Sequence, residues 1–168
     1  MSERASRGFT LLEVLVSMVL LAVAGTALVA AFAASGQLGV LARRQATAVV
    51  LARSLAAQLA LADYADARIA NSNPANDASF ADAAAAFARP TLPTGTDAPD
   101  AILPAVNAAG ESYEVYVNVK PDLDATGAEQ GKDFAVIVRF KVGTAWARAV
   151  VLGYRYNPAS IGVAGMPM

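Results

Sequence analysis

Apolar and polar residues follow three regimes along this chain. From Val14 to Ala42 there is no Asp, Glu, Lys or Arg, and the stretch opens VLVSMVLLAVAGTALVAAFAA. About 20 such residues cross a bilayer, so the segment reads as a membrane-spanning helix. Ser17, Gly25 and Thr26 fit inside it, because a hydroxyl can bond back to the helix backbone and glycine permits close helix contact. Downstream the period changes. Ala48, Leu51, Leu55, Leu59 and Ala62 recur every three or four residues, which gives one apolar face on a continuing helix. The short stripe favours packing on a sheet over a coiled-coil seam. NSNP at 71–74 reads as the stop, since Asn and Ser favour turns and Pro74 cannot continue the ladder. One helix is predicted from Phe9 to Ala70, spanning a membrane to about residue 35 and amphipathic beyond. At about 1.5 Å per residue it is a rod near 90 Å long.

The third regime alternates. SYEVYVNV at 112–119, FAVIVRFKV at 134–142 and AWARAVVLGYRY at 145–156 read as strands, the last two joined by a tight turn at Gly143 and Thr144. Short connections imply an antiparallel sheet, with the long helix on one face. Trp146, Tyr154 and Tyr156 read as sheet or core residues. Between helix and sheet, 71–111 holds Pro90, Pro93, Pro99 and Pro104 and an Ala-rich stretch, 79–88, with helical character. It reads as a connecting loop, either a contact surface or a solvated linker. The predicted fold class is α+β, with 112–168 as the sheet of a globular head.

Composition narrows the chemistry. The chain has 168 residues, no Cys and no His, which removes disulfides, thiol nucleophiles, imidazole bases and soft-ligand zinc sites. A formal net charge of -1 offers no basic field for nucleic acid. Beyond residue 60 there are 12 acidic and 8 basic residues, so the head is acidic, which favours solubility outside the cell. No pair of carboxylates stands out as catalytic, so a membrane-tethered enzymatic or ligand-binding head is the alternative from another class.

Glu13 is the anomaly, an ionisable group at the start of an apolar run. A secretory signal peptide would explain Arg4, Arg7, the apolar run and the small residues AAFAAS, but a carboxylate near the start of an h-region opposes insertion and the run is too long. An acid snorkelling at the membrane edge is a second explanation. RGFTLLEVLVSMVLLAVAGTALVA resembles the N-terminus of type IV prepilins and of type II secretion pseudopilins: a short basic leader, Gly8, Phe9, Thr10, two Leu, Glu13, then a neutral span. The resemblance implies a leader over residues 1–8, cleavage between Gly8 and Phe9 by a prepilin peptidase, and N-methylation of Phe9. It further implies that Glu13 pairs, in assembly, with the amino group on Phe9 of a neighbouring subunit. The expected fold is then pilin-like. The expected function is that of a structural minor pilin, incorporated into or priming a type IV pilus; a type II secretion pseudopilin is the runner-up. The expected partners are the peptidase, other pilins through the N-terminal helix, and the inner membrane, with the head in the periplasm before assembly.

DLDATGAEQGKD at 122–133 sets Asp122, Asp124, Thr126 and Asp133 at spacings that approach an EF-hand calcium loop. Thr126 stands where Asp or Asn is usual, Asp133 replaces the bidentate Glu, and strands flank it. The alternatives are a calcium site and a plain polar hairpin loop; no other cofactor is expected.

Overall fold

The computed structural model describes residues 10–80 and 87–160. The chain divides into two units, residues 1–42 and 43–168; the second is called the head. Helix α1, Leu11–Leu61, runs through both. Strands β1 (Ala101–Ala108), β2 (Glu111–Leu123), β3 (Glu129–Val142) and β4 (Ala145–Tyr156) form one antiparallel sheet in the order β1-β2-β3-β4. The arrangement is α+β and pilin-like, a long N-terminal helix packed on an antiparallel sheet.

Alternation sorts the side chains of the sheet to its two faces. On one face Tyr113, Val115, Val117 and Val119 lie beside Phe140, Val138, Val136 and Phe134, all buried, with the Tyr113 and Phe140 rings 5.7 Å apart. The second half of α1 covers this face. It buries Ala48, Ala52, Ala56 and Leu59, and three of these four are small enough to let the helix lie close. Polar contacts fix its ends. Arg44 pairs with Glu111 and donates to the Lys141 carbonyl, and Gln45 donates to the Arg148 carbonyl. Just past the helix, Lys132 donates to the Tyr64 carbonyl and lies over the Tyr64 ring.

The connection covers part of the opposite face. Phe87 is fully buried against Tyr116 and Ile137, with Leu92 packed beside them. The stretch expected to be an exposed linker or contact surface is thus in part a lid on the sheet, tied down through Asp100. One Asp100 oxygen accepts from the Ser72 and Asn73 N–H groups, each at 2.7 Å. The other accepts from Val119 N–H at 2.8 Å and from the Asn76 amide at 3.1 Å. Residues 81–86 of the Ala-rich stretch lie outside the described residues.

Two expectations are corrected. The helix ends at Leu61 rather than Ala70, because Asp63 and Asp66 turn their carboxylates back on the backbone. Asp63 accepts from Ala65 N–H, and Asp66 from Arg68 N–H, so the side chains displace the helical ladder. A short 3-10 turn, Ala67–Ile69, follows and buries Ile69. The stretch 71–111 also contains a strand, β1, hidden by Pro104. Proline is tolerated there because β1 is an edge, and the register shifts between Leu103 and Val106. β1 and β2 join through Ala109 and Gly110, both at positive φ, as a two-residue hairpin of this twist requires. The turn at Gly143 and Thr144 and the bounds of β4 agree with the sequence reading.

Candidate functional site

The N-terminal helix is the segment where the sequence concentrates chemistry. Gly8 and Phe9 lie outside the described residues, the first of which is Thr10. The Thr10 hydroxyl accepts from Glu13 N–H at 3.3 Å, and its carbonyl from the N–H groups of Glu13 and Val14. Thr10 therefore caps the helix by satisfying first-turn N–H groups that have no partner within it. The sequence analysis places Thr10 in the motif without assigning it this capping role, although T-L-L-E is a capping-box pattern legible without coordinates. The cap fixes Glu13 in the first turn, where a carboxylate also complements the positive end of the helix dipole.

From Thr10 to Val40 every side chain is exposed. Leu11 is 83% exposed, Leu21 75% and Phe32 70%. This is the one helix among the described residues long and apolar enough to cross a membrane. A helix apolar all round has no stable place in water, so its surroundings are lipid or other helices. The two hydroxyls inside it are satisfied within the helix: Ser17 donates to the Glu13 carbonyl at 2.7 Å and Thr26 to the Val23 carbonyl at 2.9 Å. The Glu13 carboxylate has no hydrogen-bond or ion-pair partner among the described residues.

Residues 4–29 match the family model described as the prokaryotic N-terminal methylation motif. The chain carries the prepilin and pseudopilin signature. The match ends inside α1, so the motif and the apolar helix are one continuous feature. No curated protein and no solved structure matches the chain.

The four candidate calcium residues lie on β2, on β3 and in the turn between them. Asp122 lies in β2 and accepts from the Tyr154 hydroxyl at 3.0 Å. Asp124 opens the β2–β3 turn, where one carboxylate oxygen accepts from the Thr126 N–H, the Thr126 hydroxyl and the Ala128 N–H at 2.6–2.9 Å. These hydrogen bonds, the Thr126 hydroxyl first, hold its carboxyl below the ordinary value. Asp133 lies in β3 opposite Lys120. Thr126 and Asp124 are brought together as a turn, and no group of three or more His, Cys, Asp or Glu suited to a metal occurs among the described residues.

Proposed function

We propose that this chain is a minor pilin: a structural subunit held in the inner membrane with its head in the periplasm, processed between Gly8 and Phe9, methylated on Phe9, and built into or beneath a type IV pilus. The observation that carries this reading is the methylation motif running without a break into an exposed apolar helix whose acid, Glu13, has no partner in its own chain among the described residues. Packed among other such helices, that carboxylate loses its water at a cost on the order of several kcal/mol. Cleavage after Gly8 would supply a cation beside the helix start. An ammonium there would be repelled by the positive end of its own helix dipole, and a neighbour's Glu13 would offset that repulsion. Methylation leaves that charge in place. Removal of the leader thus makes assembly favourable and fixes register, because a subunit slid along its neighbour leaves Glu13 unpaired. The absence of Cys supports a minor rather than a main subunit, since many major pilins close their C-terminal loop with a disulfide.

Expressed in its native strain, Glu13→Ala is expected to be cleaved normally but depleted at least several-fold from sheared filaments, while Gly8→Trp accumulates as uncleaved precursor. Normal incorporation of the Ala variant removes the pairing role. A null strain that keeps its pili but loses type II secretion assigns the chain to a pseudopilus instead.

A further inference from the structure

The two edges of the sheet are unlike. β1 carries Pro104 and a register break, devices that blunt an edge against pairing. β4 is twelve residues long, pairs with β3 without interruption and has no proline. The Asn157 N–H donates to the Gln130 carbonyl, which continues the register of Gly131 with Tyr156 by one pair. Antiparallel alternation then turns the N–H and C=O groups of odd-numbered β4 residues towards β3 and those of even-numbered residues outwards. The Arg148 carbonyl, one of the outward set, is taken by Gln45 of α1. Beyond it Val150, Leu152, Tyr154 and Tyr156 combine outward backbone groups with exposed side chains, Leu152 at 59%. Backbone and apolar side chains are presented together along seven residues, about 23 Å of strand.

Charge narrows the partner. β4 bears Arg148 and Arg155 and no acid, and the buried Arg155 Nε has no acceptor among the described residues. A second copy of β4 would add two more cations and no carboxylate. We propose that the β4 edge receives an extended segment of a different protein chain, apolar at alternate positions and carrying a carboxylate that reaches Arg155, so that the partner becomes a fifth strand of the sheet. This inference stands on the head alone and does not rest on the pilin reading.

The test uses the full chain in detergent micelles and a fluorescent nine-residue peptide of alternating Val and Thr with Glu at both ends. Binding is expected by anisotropy, at least threefold weaker for the peptide with Gln at both ends. Leu152→Pro, which removes an outward N–H and the exposed leucine side chain but no bond to β3, should weaken it at least tenfold. Because that change puts the fold at risk, Leu152→Lys serves as a second variant with the same expected loss. Absence of binding to the parent chain, or equal binding by both variants, overturns the proposal. So does a micellar dimer that Leu152→Lys dissociates, which names a second copy as the occupant. Binding that emerges only after truncation at Ser160 also overturns it, and names the chain's own C-terminal residues.

Discussion

Arg139 shows how one side chain couples several others in this head. It is nearly fully buried in β3, donates from Nε to Glu114 at 2.6 Å and from Nη1 to the Arg89 carbonyl, and lies 4.0 Å over the Trp146 ring. Trp146, expected as a sheet residue, is thus also a lid on a buried cation. Burial pushes the Glu114 carboxyl up, but hydrogen bonds from Tyr116 and Arg139 and the nearby charges of Arg139 and Lys141 outweigh it and leave it below its ordinary value of 4.5. Burial, then the hydrogen bond to Glu114, pushes Tyr116 up to about 12. The signs differ. The Glu114 contribution is present above the unfolded carboxyl range and is lost as pH falls through its lowered folded value. The Tyr116 contribution is present below pH 10 and is lost as pH rises towards about 12. Melting curves of the full chain in detergent should therefore fall on both flanks, and Glu114→Gln should flatten the acid flank; an unchanged acid flank refutes the coupling. Asp100 acts by acceptance alone. Asp100→Ala strands the N–H groups of Ser72, Asn73 and Val119, and a loss of at least about 1–3 kcal/mol is expected in denaturant titration.

At the scale of elements, the sheet depends on two glycines that sequence patterning treats as interruptions. A Cβ at Gly153 would meet the Phe134 ring, which lies over that position in the core. Gly153→Ala should cost about 1–3 kcal/mol by overpacking, read as a lower melting temperature. Gly131→Ala meets only the outer end of the Tyr154 ring. That ring is partly exposed and can swing away, so the expected loss is smaller; equal losses contradict this ordering. The β2–β3 hairpin is held by Asp124 through its own turn, so millimolar calcium should leave the melting temperature unchanged, and a rise of several degrees would show that the hairpin rearranges around the ion. NSNP is the stronger signal for a helix stop in the sequence, whereas Asp63 and Asp66 end the helix earlier through carboxylates that accept from backbone N–H groups two residues on. β1 was overlooked because Pro104 argues against a strand unless the strand is an edge, and edge position is not written locally.

At the scale of the whole molecule, the two units answer to different solvents. Residues 10–40 expose apolar surface throughout, while the head buries its aromatic and branched residues between α1 and the connection. What the sequence alone determined is whatever depends on local order: the neutral span, the acid at Glu13, the motif around Gly8 and Phe9, and the period-two runs of β2 to β4. These signals survive because bilayer insertion and strand alternation act on consecutive residues. Only the tertiary structure decided which strand is an edge, that Asp100 gathers donors from residues 72–76 and from β2, that Phe87 packs on the second face, and that the apolar side chains of β4 coincide with its outward backbone. Those facts are set by contacts between residues far apart in the chain, whose energies appear only once the sheet has fixed its order and register.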